Sequence, residues 1–274
     1  MLSVNLNDEL SVLEITGIDS STYLQGQLTN DIKLLDKQSF QYSAHLNNKG
    51  RILASFIITK VSDNCYYLIT HKEIINKVIP RLKMFILRSK VVISEPEGLN
   101  IIFSDYILAN CIYSLQLQTG SFISLSKSMP DSTTKDIKYW HSFLINNGIC
   151  MIYPCTYEQL IPGQVNYDKI GGVSFTKGCY TGQEIVARMH YLGKAKRIMY
   201  MFNCDAIVEI GQSVVSPDAD NQEIGMVVDV VISGLACLGL VSIQNDYIKN
   251  AFINTNGISH QLLIQTLTYQ DNNG

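Results

Sequence analysis

The chain has no CxxC pair, no zinc-type cysteine spacing and no apolar run of the ~20 residues that a membrane span needs. The first two absences exclude the common zinc and thioredoxin-like sites, and no metal site is expected. Seven cysteines, an odd number without a spacing pattern, read as reduced thiols of a cytosolic protein. The most apolar stretch, VVISGLACLGLVSI between Asp229 and Asp246, is too short to span a bilayer, and its β-branched and glycine content predicts buried strands. The first residues, MLSVNLNDELSV, carry acids where a secretory or organellar leader carries bases, so a cytoplasmic location without membrane attachment is expected. Charge is also scarce, at 16% of residues against ~25% in an average chain. A net charge of −3 excludes a general binder of polyanions and leaves room only for a local basic patch.

What is present is enough to fold unaided. A chain of 274 residues buries roughly three-quarters of its unfolded surface, without staples. That length corresponds to about two domains, or three small ones. SVLEIT alternates as a strand, and DSSTYLQGQLTNDIKLL places Leu24, Leu28 and Ile32 on one helical face. Phe40, Tyr42, Ala44 and Leu46 alternate in the next strand. The turn NNKG, the run RILASFIITK, the turn SDN and the run CYYLIT complete a three-stranded meander. EIINKVIPRLKMFILR reads as a helix interrupted by Pro80, and LNIIFS and SFISLS as strands. Thr133 and Asp136 have capping-box spacing ahead of a helix with Ile137, Trp140 and Leu144 on one face and Gly148 at its end. From Arg197 onward helical periodicity gives way to short strands at turn spacing, as in a small β-barrel or sandwich.

The segment GGVSFTKGCYTGQE is what composition does not explain. Thr181 and Glu184 have capping-box spacing, Ile185, Met189 and Leu192 share a face, and Gly193 is placed to end the helix. Cys179 then precedes a helix N-terminus by two residues. Gly178 is expected to take a positive φ, and Gly182 to allow close approach. A helix N-terminus and the nearby Lys177 ammonium both favour thiolate. The plain alternative is a tight turn holding a small, half-buried thiol, since free cysteines are usually inert.

Beyond it lie Arg188, His190, Lys194, Lys196 and Arg197, either a solvated helix end or a subsite for an anionic ligand. Trp140, the only tryptophan, is either core or a ring that stacks on a planar heterocycle. His45, His71, His141 and His260 have no partner at metal spacing and read as ordinary.

IPGQVNYDKIGGVSFTKGCYTGQEIVAR, with its specific KGCYTGQE element, and the two N-terminal stretches YLQGQLTNDI and NNKGRI, in the right order, resemble the YgfZ proteins, folate-binding relatives of the glycine-cleavage T-protein. The resemblance covers most of the chain. It implies an α+β fold of three domains around a central folate cleft: residues 1–43 plus 131–193, residues 44–130, and a C-terminal antiparallel β-barrel over 194–274. It also implies tetrahydrofolate, or a derivative, as cofactor and a functional Cys179–Lys177 pair. Trp140, Asn166, Tyr180, Gln183, Glu184 and Arg188 are the implied cofactor contacts. The family is associated with tRNA thiolation and with iron–sulfur enzymes. Two departures stand out. Ala54 and Ser55 occupy positions where the T-protein branch has paired aspartates, and Leu10 occupies a position offered to folate as an aromatic. A transferase needs a carboxylate at the folate nitrogen, which Ala and Ser cannot supply.

The expected function is therefore a folate-binding accessory protein. It supports synthesis or repair of iron–sulfur clusters in enzymes such as tRNA methylthiotransferases, and so tRNA modification. The alternative is a folate-dependent one-carbon transferase, with Glu184 or Asp168 as substitute acid. Direct tRNA binding through Arg188, Lys194, Lys196 and Arg197 is disfavoured by the acidic net charge and by the lack of aromatics among these bases.

Overall fold

The computed structural model describes residues 2–117, 120–130, 133, 136–193 and 195–269. In chain order it forms β1 (Ser3–Asn5), β2 (Leu10–Thr16), α1 (Ser20–Gln27), β3 (Gln41–Leu46), β4 (Ile52–Ser62), β5 (Cys65–His71), α2 (Ile75–Met84), β6 (Val92–Ser94), β7 (Asn100–Ser104), β8 (Tyr113–Gln116) and β9 (Phe122–Ser126). There follow α3 (Lys138–Asn146), α4 (Gln183–Leu192), β10 (Arg197–Cys204), β11 (Ser213–Val215), β12 (Glu223–Ser233), β13 (Ala236–Gln244), β14 (Phe252–Thr255), β15 (Ile258–Gln261) and β16 (Leu263–Gln265). The mixture of helices and antiparallel sheets agrees with the sequence pattern.

The meander β3–β4–β5 forms as expected, and β2 joins it in a sheet of order β3-β4-β5-β2-β6. A second sheet runs β1-β7-β9-β8, and a third, C-terminal sheet runs β15-β14-β11-β12-β13-β10-β16. VVISGLACLGLVSI supplies the β12–β13 hairpin, turned at Gly234 with φ +65°. The boundary expected between residues 43 and 44 falls inside β3, and one sheet joins β2 to β3–β5.

Three local readings are corrected. All six residues of β3 are buried, so it has no solvated face. Its polar positions are accommodated by partners: the Ser43 hydroxyl accepts from Asn30 N at 3.0 Å, and His45 Nδ1 meets the Gln27 carbonyl at 3.0 Å. The helix of Leu24 stops at Gln27, because Leu28 turns extended and bridges to His45. Thr133 and Asp136 form no capping box. α3 begins at Lys138, whose backbone N–H donates to the Asp136 carboxylate at 3.1 Å. Gly148, at φ +60°, does end that helix, and Pro80 does lie inside α2.

Candidate functional site

The three stretches that carry the family resemblance converge on one place. Lys177, 8% exposed, sends its ammonium into the region where α1 ends. Nζ donates to the carbonyls of Gln25 at 2.7 Å, Leu28 at 2.7 Å and Asn30 at 2.9 Å. These are all three donors of an ammonium, spent on one carbonyl of the last turn of α1 and two of the segment that follows it. Burial pulls the Lys177 pKa down to about 8, against a smaller upward influence of Asp31. Thr29 and Asn30 fasten the same segment to the stretch before the lysine: Thr29 Oγ1 donates to Gly172 O at 2.7 Å and Asn30 Nδ2 to Gly171 O at 2.7 Å. Lys177 is thus a tie between YLQGQLTNDI and KGCYTGQE.

The third stretch, NNKGRI, meets the turn glycine on glycine. Gly182, at φ +80°, is the N-cap of α4, and a Cβ there would stand 2.5 Å from Asn47 O and 3.1 Å from Gly50 Cα. A Cβ on Gly50 would in turn stand 2.8 Å from Ile185 Cβ. Close approach at Gly182 is as expected, but the positive φ falls there and not at Gly178. The expected Thr181–Glu184 capping box does not form. The helix starts after Gly182 with no side-chain cap, because the left-handed glycine sets the turn instead. Cys179 therefore lies four residues ahead of the first helical residue. It is exposed, as are Gly178 and Glu184. Gly193 ends α4 as expected, while Lys194 and the Leu192 side chain lie outside the described residues.

A cavity of about 290 Å³ opens beside α4, walled by Val173, Phe175, Val186 and His190, with Asp168 and Lys169 also lining it. Phe175 and His190 stack with ring centroids 3.7 Å apart. Asn166, left-handed at φ +53° and 4% exposed, lines this cavity as well. Its side-chain amide is committed to β10, donating to Met199 O at 2.8 Å and accepting from Met199 N at 3.4 Å.

The other expected contacts lie elsewhere. Trp140 is 1% exposed, packed between Phe103 at 5.1 Å and a stacked Phe143 at 5.8 Å, so the indole is core and presents no face to the cavity. Tyr180 is buried, its ring 5.1 Å beneath the Lys177 ammonium. Gln183 opens α4, and Arg188 is exposed on it. Arg197 is taken up by Glu223 at 3.4 Å. Ala54 and Ser55 are buried in β4, where the Ser55 hydroxyl accepts from Ile152 N at 2.9 Å.

One polar cluster has no counterpart in the sequence reading. His141, taken there as ordinary, lies between two carboxylates: Nδ1 is 2.8 Å from Asp229 and Nε2 3.5 Å from Glu9. His71 Nε2 approaches the same Glu9 at 3.3 Å, and the Tyr153 hydroxyl donates to Asp229 at 2.9 Å. Burial would lower the His141 pKa, but hydrogen bonds to Asp229 and Glu9 raise it to about 10. Burial likewise opposes ionisation of Glu9, and the two imidazoles overcome it and hold the carboxyl at about 2. The available signal was Asp229 itself, a lone acid inside the apolar run EIGMVVDVV.

No family model matches the chain. An uncharacterised protein of Haemophilus influenzae is 32% identical over 212 residues, which span 75% of this chain and 76% of the relative. The tRNA-modifying protein YgfZ of Hamiltonella defensa is 27% identical over 294 residues, covering 93% of this chain and 87% of its own. That of Colwellia psychrerythraea is 27% identical over 248 residues, covering 79% and 75%. Among solved structures, the glycine cleavage system aminomethyltransferase T of Bartonella henselae aligns with a TM-score of 0.69 and 12% identity, over 97% of this chain and 85% of that one. At that identity the likeness speaks for the fold alone: this chain has a T-protein-like fold of mixed helices and sheets.

Proposed function

From its 27% identity with YgfZ proteins over most of the chain, we propose that the protein is a YgfZ-type, cytoplasmic, folate-binding accessory protein that supports iron–sulfur cluster synthesis or repair and thereby tRNA methylthiolation. The observation that carries this reading is an exposed thiol, Cys179, on the same segment that walls the Asn166 cavity. A pterin presents two adjacent N–H donors that one carboxylate accepts together, and Asp168 is an acid of that wall. Val173, Phe175 and Val186 suit the apolar ring, and a volume of about 290 Å³ admits the ring while the glutamyl tail stays outside. Lys169 at the wall and Arg188 on α4 are the cations proposed for the tail, with Gln183 and Glu184 as polar neighbours. Bound tetrahydrofolate supplies a reduced ring nitrogen able to carry a one-carbon unit. The chain's own residues bind and orient it.

Cys179 acts outside that cavity, as nucleophile or as one ligand of a cluster held mainly by the client enzyme, because one thiolate cannot complete a four-thiolate site. The proposed partners are iron–sulfur enzymes such as tRNA methylthiotransferases. A three-domain division, with the C-terminal sheet closing into a barrel, belongs to the same proposal. The transferase alternative gains nothing from β4, where Ala54 and Ser55 are sealed and carry no carboxylate.

Calorimetric titration with tetrahydrofolate, with Asp168→Asn as the variant, tests the binding half: saturable heat that weakens in the variant is expected, and its absence in the parent protein refutes folate use. Restoration of methylthio-tRNA in deficient cells tests the other half. Cys179→Ala should bind folate and fail to restore, and full restoration by that variant removes the thiol from the function.

A further inference from the structure

A second hollow, of about 250 Å³, adjoins the cysteine turn on the side of Thr181, which lines it together with His45, Asn48, Leu53, Arg81 and Phe85. His45 is 1% exposed, and its Nδ1 lies 3.0 Å from the Gln27 carbonyl. A carbonyl only accepts, so Nδ1 carries the proton and Nε2 is left as a lone pair facing away from Gln27. Nε2 is buried and has no partner among the described residues. Burial, with Arg81 assisting, holds the imidazole near a pKa of about 4, so it does not acquire a proton of its own at neutral pH. A buried acceptor in this condition calls for a donor from outside the chain.

Arg81, on α2, contributes the second requirement. It is half-buried and pairs with no carboxylate within 4 Å among the described residues. A cation on the wall selects an anion. Leu53 and Phe85 supply an apolar wall for a flat body. The volume falls below the ~300 Å³ at which drug-sized sites begin, so the hollow suits one flat base joined, directly or through a short spacer, to an acidic group.

We propose that this hollow is a binding site, separate from the Asn166 cavity, for a compact heterocyclic acid whose ring N–H donates to His45 Nε2 while its carboxylate or phosphate meets Arg81. Thr181 brings such a ligand within two residues of Cys179. The site is independent of the folate reading.

The test uses the full chain and four probes. Orotate and uridine 5′-monophosphate each join a ring N–H to an anion, as carboxylate and phosphate respectively. Benzoate has the anion without the ring N–H, and uracil the N–H without the anion. Saturable binding of orotate or of the nucleotide is expected, at least roughly tenfold tighter than benzoate or uracil, with a shift of the His45 Nε2 resonance in ¹⁵N spectra. Whichever of the two binds identifies the anion. Arg81→Gln should weaken binding about tenfold, and His45→Phe likewise where its thermal melt shows a folded chain. Arg81→Gln alone decides if His45→Phe does not fold. Tetrahydrofolate affinity should be unmoved by Arg81→Gln. The proposal is overturned by absence of saturable binding, by equal binding of benzoate or uracil, by indifference to Arg81→Gln, or by loss of tetrahydrofolate affinity in that variant.

Discussion

Asp229 of β12 is wholly buried, and its carboxylate stands 2.8 Å from Nδ1 of His141 on α3. Together with Glu9 this pair sets how stability depends on pH. The folded pKa of His141, about 10, lies above its ordinary 6.5, so its contribution is complete below pH 6.5 and is lost as pH rises through 10. Glu9 is held at about 2 from an ordinary 4.5, so its contribution is complete above pH 4.5 and is lost as pH falls through 2. Both are fully present between pH 4.5 and 6.5. Urea midpoints should peak in that window and fall on both sides. Asp229→Asn should cost about 3–5 kcal/mol and flatten the alkaline limb. An unchanged alkaline limb in that variant would show that His141 draws its charge from elsewhere.

Lys177→Met should destabilise the fold by about 3 kcal/mol or more, because three carbonyls lose their only ammonium in a buried place. Hydrogen exchange should quicken at α1 and at the cysteine turn together. A variant with parental stability and lost function would return Lys177 to the chemistry.

The two turn glycines separate cleanly. Gly182→Ala places a Cβ 2.5 Å from Asn47 O at a φ of +80°, and should cost more than about 1 kcal/mol. Gly178→Ala meets nothing within 4 Å and should stay within about 0.5 kcal/mol of the parent. Thermal melts of the two variants decide it, and equal losses would contradict the close packing of Gly182 on Gly50.

Trp140, buried against Phe103 and Phe143, should emit at short wavelength and resist iodide quenching. Occupation of the Asn166 cavity should leave its emission nearly unchanged, which makes calorimetry the better reporter of folate. A strong quench on titration would bring the ligand to α3.

The strand order around NNKG and SDN was legible because turns and alternation are local signals. The end of α1 was not: Lys177 lies 147 to 152 residues from the carbonyls it takes. The apolar stripe from Leu24 to Ile32 continues past the point where that contact lets the chain leave the helix. The two-sided burial of β3 was hidden for a related reason, since Ser43 and His45 read as outward until their partners arrive from Asn30 and Gln27. At the candidate site, the motif singles out Cys179 and Asn166, and the fold places Asn166 on the cavity wall and Cys179 at the surface. The stripe that holds Trp140 could not say whether the ring faced core or cleft. His141 and Asp229 stand 88 residues apart, a distance over which no periodicity connects them.

The place of Asp229 also has a meaning for synthesis. Glu9 and His141 leave the ribosome well before the acid that takes the second ring nitrogen of His141, and β12 belongs to the last third of the chain. Until that strand arrives, the growing polypeptide holds an imidazole and a carboxylate in a seam with no lid. Final consolidation must therefore wait for translation to be almost finished, and a product cut short after residue 193 should be a client of chaperones and proteases rather than a smaller version of the same protein.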